Sequence, residues 1–235
     1  GIRTAAIGYD ALVEDARACL AWLGKHAATD PKRIFIVGHS EGGLTAPILA
    51  AEGAVAGIVF MAAMGRNMRD TVRGQVEDAL EGVAAEVRAS QLAVQDELMA
   101  AAADEREPNY DALPEAVRAQ ARMAWRQVHH IKNYWREHFR IDVPAVHAAV
   151  PCPCFVAQGA CDFQVTPERD AKTIVRNLLQ GRATDVTYKV YDDLDHLFKP
   201  CNGKKSTVAM YATKRAVSRT FLGDLVAWLA ARARG

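Results

Sequence analysis

Long apolar runs, an excess of charge of one sign and paired cysteine motifs are all missing from this chain, and each absence closes off a class of protein. No stretch of about 18 apolar residues occurs, which excludes a membrane-spanning helix within this sequence, and no signal peptide is visible at Gly1. Basic and acidic residues balance to a net charge of +1, so there is no electrostatic footprint for nucleic acid or an anionic membrane surface. The run Gly203-Lys204-Lys205 reads as a solvated loop. The five cysteines are odd in number and include no Cys-x-x-Cys pair, which argues against a zinc site and against a full disulfide set. Cys19, Cys152, Cys154, Cys161 and Cys201 are expected as buried thiols, and pairing of Cys161 with Cys201 would need an oxidising compartment.

What is present is a chain of 235 residues, half of them apolar, long enough for one domain or one domain carrying an insertion. From Gly1 to Ala63 the pattern runs helix (Tyr9 to His26), strand from about Arg33, turn, helix, and strand at Val55 to Met61. Such alternation calls for a parallel sheet covered by helices. From Gly65 to about Val143 no strand signal appears. Thr71 to Ala103 reads as one or two helices, Pro108 and Pro114 punctuate a turn, and Glu115 to Phe139 reads as one more helical stretch. The α/β pattern returns after Val150, with strands at Cys154 to Ala160 and Val186 to Tyr191 and helices at Pro167 to Gln180 and Ser206 to Arg232. The last is expected to open with Ser206 as its cap and to present Val208, Tyr211, Val217, Phe221, Leu225 and Leu229 at helical periods. The expected domains are therefore a core of residues 1–64 and 144–235, with 65–143 as a helical insertion.

Serine is scarce, yet one lies at the apex of a strand, turn and helix: Gly38-His39-Ser40-Glu41-Gly42. A Gly-x-Ser-x-Gly pentapeptide arises by chance about 0.02 times per chain of this composition, so the turn carries information. A serine lifted above a buried strand takes a strained backbone, and Gly38 and Gly42 are expected to remove Cβ atoms that would clash. The helix beyond aims its free N–H groups at any oxyanion formed there, with the N–H of Glu41 as one donor. Ser40 is the candidate nucleophile.

A serine near neutral pH needs a histidine base and a carboxylate to orient it. Asp162 follows the strand ending near Gly159, and His196 follows the strand ending at Tyr191, so both belong on the sheet edge that carries Ser40. His26, His39, His129, His130, His138 and His147 are read as packed or solvated imidazoles. Asp193 and Asp195 are alternatives to Asp162, but a tight loop beside His196 is a poor place from which to orient its ring.

The string from Asp30 to Gly43, followed by Ala46-Pro47, resembles the nucleophile region of bacterial α/β-hydrolase serine esterases and of the prolyl-oligopeptidase-like hydrolases. Gly159-x-x-Asp162-Phe163-Gln164-Val165 and Leu194-Asp195-His196-Leu197-Phe198 resemble their acid and histidine loops. The resemblance implies a mostly parallel α/β-hydrolase sheet flanked by helices, a Ser40-His196-Asp162 triad, and hydrolysis of a small-molecule carboxylic ester with no metal or organic cofactor. It further implies that 65–143 forms a helical cap, whose Met123, Trp125 and Trp135 would contact substrate. Each of those three is equally well read as packing the cap. A peptidase or acyltransferase would use the same triad.

The resemblance also implies strands ahead of the nucleophile strand, and these are not found in the sequence. A fragment, a partner chain carrying those strands, or a reduced sheet would each explain this, and the start Gly1-Ile2-Arg3-Thr4 favours the first two. Loss of one oxyanion donor would cost about 3 kcal/mol. A non-catalytic subunit is the alternative outside enzymology. In either case an exposed sheet edge is expected to seek a second copy or a partner chain.

Overall fold

The computed structural model describes residues 8–53 and 55–233; the opening Gly1-Ile2-Arg3-Thr4 lies outside them. The chain divides into two compact units, one of Ala16–Arg66 with Asp142–Gly235 and one of Asn67–Ile141 with the described residues up to Asp15. Helix α1 (Tyr9–Lys25) is divided between them at Asp15.

The α/β unit is built on β1 (Phe35–His39), β2 (Gly57–Met61), β3 (Cys154–Gly159) and β4 (Val186–Tyr191). They pair in the order β1-β2-β3-β4, every pair parallel. Helices α2 (Gly42–Glu52), α7 (Val143–Ala148) and α8 (Lys172–Gln180) belong to this unit, and α9 (Arg219–Ala233) ends it. Parallel strands need covered faces, and the residue alternation meets that demand. Ile58, Phe60, Cys154 and Val156 point to one side, where they form a hydrophobic core cluster with Ala50 of α2 and with Ile174 and Leu178 of α8. On the other side Trp228 of α9 packs on Phe35 and Phe155, with ring centroids 6.1 and 5.9 Å apart, and donates to the Thr187 hydroxyl at 3.2 Å. Strand β1 has one neighbour among the described residues and carries a half-exposed Val37.

The helical unit contains α3 (Met68–Ala79), α4 (Ala85–Ala103), α5 (Glu115–His130) and α6 (Lys132–Phe139). Asn67 caps α3 by accepting from the Asp70 N–H at 2.9 Å. Val94, Leu98, Ala101 and Ala102 form the buried stripe of α4, and Val117, Ala121 and Trp125 that of α5, both at the spacing of a helix face. The reading of Glu115 to Phe139 as one stretch needs correction. Ile131 leaves the helical region (φ −117°, ψ 32°), and the break brings Trp135 and Phe139 of α6 against the same cluster as Trp125.

A second correction concerns Ser206 to Arg232, which is not one helix. A short 3-10 turn (Val208–Ala212) comes first, and α9 begins only at Arg219. Arg215 is the cause: its guanidinium donates to the carbonyls of Pro200 at 2.8 Å and Met210 at 2.9 Å and pairs with Asp195 at 2.7 Å. These bonds hold the segment as a folded loop and leave Val208 exposed. Ser206 instead donates its hydroxyl to the Cys161 carbonyl at 2.6 Å, and Ser218 supplies the cap oxygen, accepting from the Phe221 N–H at 3.4 Å.

Candidate active site

Because all four strands are parallel, residues just past their C-terminal ends share one edge of the sheet. Ser40 follows β1, Asp162 follows β3 and His196 follows β4. Ser40 sits in the left-handed region at φ 55°, a conformation costing a non-glycine residue about 1–3 kcal/mol. Its N–H donates to the Met61 carbonyl at 2.9 Å and its carbonyl accepts from Gly43 at 3.0 Å, so β2 and the first turn of α2 hold the turn in place. Glu41 stands at the N-terminal cap position of α2.

The glycines around the serine differ from the expectation at one position. A Cβ on Gly38 would fall on the Gly42 backbone, as expected, but a Cβ on Gly42 would meet nothing within 4 Å. The second tight position is Gly43, where a Cβ would strike the Ala63 methyl group. The close approach is therefore between α2 and the end of β2.

His196 and Asp162 are 3% and 4% exposed. His196 Nδ1 lies 2.8 Å from Asp162 Oδ2. A carboxylate only accepts, so Nδ1 carries the proton and, in the neutral ring, Nε2 carries the lone pair. The other carboxylate oxygen, Oδ1, accepts from the N–H groups of Gln164 at 2.8 Å and Val165 at 3.2 Å. The alternative acids are engaged elsewhere. Asp195, fully buried, accepts from the Leu197 and Lys199 N–H groups at 2.9 and 3.0 Å and faces Arg215, while Asp193 accepts from Gly203 at 2.7 Å. Phe198, at φ 55°, stacks on Phe221 with centroids 4.0 Å apart and anchors the far end of the His196 loop.

Two residues of this site escape a reading of the sequence. His39 Nε2 lies 2.8 Å from the His196 carbonyl oxygen, and burial pushes its pKa down, favouring the neutral ring. Gln158, the penultimate residue of β3, donates to Asp162 Oδ2 at 2.9 Å. The only local signal for Gln158 is a long polar side chain at the end of an otherwise apolar strand.

The remaining sequence-derived residues lie in the helical unit. Trp125 is buried in its cluster, Trp135 packs against that cluster, and Met123 is 69% exposed. His138 of the same unit packs between Tyr9 and Tyr134, at 4.0 and 4.8 Å. All five cysteines are free thiols; Cys19 is exposed and Cys161 half-buried, contrary to the expectation of burial throughout. Among the described residues no cluster of His, Cys, Asp or Glu is arranged to hold a metal ion, and no helix is long and apolar enough to cross a membrane.

A parallel sheet with a strained serine turn after one strand and a carboxylate-histidine pair after two others defines an α/β-hydrolase. The sequence model of the serine aminopeptidase, S33, family matches residues 1–198, and the chain belongs to that family. It is 24% identical over 219 residues to Esterase EstD of Thermotoga maritima, covering 93% of this chain and 47% of that protein. The chain thus spans about half the length of this curated relative. Among solved structures, one from work on the metagenome-derived lipolytic enzymes LipS and LipT superposes with a TM-score of 0.55 at 16% identity, covering 99% of this chain and 76% of that one. One from work on carboxylesterases of the thaumarchaeon Nitrososphaera gargenis gives 0.51 at 16%, covering 98% and 74%. At these identities the likeness is one of fold.

Proposed function

We propose that this chain carries the catalytic centre of a serine hydrolase that cleaves small carboxylic esters. The observation that carries the reading is the 2.8 Å contact between His196 Nδ1 and Asp162 Oδ2, on the sheet edge where Ser40 turns at φ 55°. In the first stage Ser40 Oγ bonds to the ester carbonyl carbon as its proton passes to His196 Nε2. The resulting oxyanion is held by the Glu41 N–H together with a second donor. Collapse breaks the carbon–oxygen bond to the alcohol, which leaves with the proton from Nε2. Water then attacks the acyl-serine by the same route, and Asp162 stabilises the imidazolium in both stages. Residues 65–143 are assigned as the cap, with Met123, Trp125 and Trp135 as contacts for the acyl or alcohol group. A second copy or a partner chain is assigned to the open side of β1; a monomer that persists across a wide concentration range would refute that assignment.

The family's description as serine aminopeptidase favours a second reading, hydrolysis of an N-terminal amide by the same three residues. Turnover of short p-nitrophenyl esters against aminoacyl p-nitroanilides separates the two. Ester turnover in large excess, abolished by His196→Ala, supports the esterase; a preference for the anilides would replace it with the peptidase.

A further inference from the structure

Strand β3 is buried along its whole length, which makes a long amide side chain at its penultimate position anomalous. Gln158 is 1% exposed. Its Nε2 is surrounded by acceptors: Asp162 Oδ2 at 2.9 Å, the Val165 carbonyl at 3.1 Å and the Gly159 carbonyl at 3.2 Å. Three acceptors fix which end of the amide faces them, because a carbonyl oxygen turned that way would meet only lone pairs. The Oε1 atom on the other end is buried without a hydrogen-bond partner among the described residues. An orphaned buried acceptor is a cost, so the residue is held for its donor.

The Gln164 and Val165 N–H groups hold Asp162 Oδ1, and two further donors meet Oδ2. Rotation of the carboxylate about its Cβ–Cγ bond moves both oxygens, so it is resisted on Oδ2 by His196 Nδ1 and Gln158 Nε2 as well as by the two N–H groups on Oδ1. Only Gln158 belongs to the rigid sheet. We infer that Gln158 is a positioning residue that acts through Asp162, an inference that rests on the hydrolase reading above. It sets the plane in which the carboxylate meets His196. It also places the positive end of an N–H dipole on the oxygen that stabilises the imidazolium, which restrains the basicity of His196.

The titratable and charged groups around the pair are His39 from the end of β1, Asp195 with Arg215 beside the His196 loop, and Tyr211, whose hydroxyl meets the Gln164 side chain. Gln158→Met removes the donor, keeps the volume close and alters none of these groups. Two measurements test the inference. In the first, kcat and KM for a p-nitrophenyl ester are compared for the wild type, Gln158→Met, Asp162→Ala and the double variant. The expected result is an about tenfold loss of kcat with KM unchanged in the single variant, and no further loss in the Asp162→Ala background. In the second, the His196 ring is titrated by histidine NMR, assigned with His196→Gln, in wild type and Gln158→Met. Loss of the donor on Asp162 Oδ2 is expected to move that titration to higher pH.

Equal fractional losses in both backgrounds, or an unmoved His196 titration in a folded Gln158→Met protein, would overturn the inference and reduce Gln158 to a structural residue. If Gln158→Met does not fold, Gln158→Leu, which also removes the donor, is titrated instead, and an unmoved His196 titration overturns the inference. Because the titration needs no turnover, a wild-type chain that fails to hydrolyse esters while His196 responds to Gln158 refutes the hydrolase reading alone.

Discussion

His39 and His196 are tied together: the His39 Nε2–H donates to the His196 carbonyl oxygen at 2.8 Å, and the two rings lie 4.8 Å apart. The residue preceding the proposed nucleophile thus holds the loop of the proposed base. Burial lowers the His39 pKa, which suits this role, since a second cation would oppose formation of the His196 imidazolium.

His39→Phe removes the donor and keeps an aromatic ring. A net hydrogen bond of about 1 kcal/mol predicts a loss of kcat of about fivefold, with KM little changed. His39→Gln, which retains an N–H donor, is expected to recover most of it. Steady-state kinetics of the three proteins is the check, and equal activity in all of them would remove His39 from the machinery.

The glycines of the serine turn give a stability test. Gly43→Ala drives a methyl group into Ala63 and is expected to cost about 1–3 kcal/mol, whereas Gly42→Ala, with open space around its Cβ, is expected to be near neutral. Urea denaturation of both variants measures the contrast. The reverse order would mean that the packing of α2 against the end of β2 is wrongly described.

His147 makes the folded state sensitive to acid. It is fully buried against Phe60, Nε2 has no hydrogen-bond partner among the described residues, and burial lowers its pKa to about 4. An unfolded histidine titrates near 6.5, so between those values the unfolded chain binds more protons. The stability His147 contributes is therefore complete above about pH 6.5 and is lost as pH falls toward 4, by about 3 kcal/mol in all. His147→Met is expected to narrow the difference in Tm between about pH 7 and pH 4.5. An unchanged difference would mean that His147 is not buried as a neutral ring.

The strands are legible in the sequence because they depend on local pattern. Runs such as Ile34 to Val37 and Val186 to Tyr191 carry β-branched and aromatic residues, and Asp162 and His196 sit immediately beyond strands. The Ser206 to Arg232 helix failed as a reading because periodicity at Val208 and Tyr211 says nothing of Arg215, whose bonds to Pro200, Met210 and Asp195 override it. The tight position is Gly43 and not Gly42 for the same reason: its constraint is Ala63, which lies two residues beyond the end of β2. His39 and Gln158 gain their roles from contacts across the sheet edge, which no spacing rule encodes.

The most direct test is intact-mass labelling with a fluorophosphonate, comparing this chain with its Ser40→Ala variant while following turnover of a short p-nitrophenyl ester. A single adduct that disappears in the variant, together with turnover, is the expected result. A folded chain that takes no adduct, or takes it equally in the Ser40→Ala variant, would contradict the assignment of Ser40 as the nucleophile.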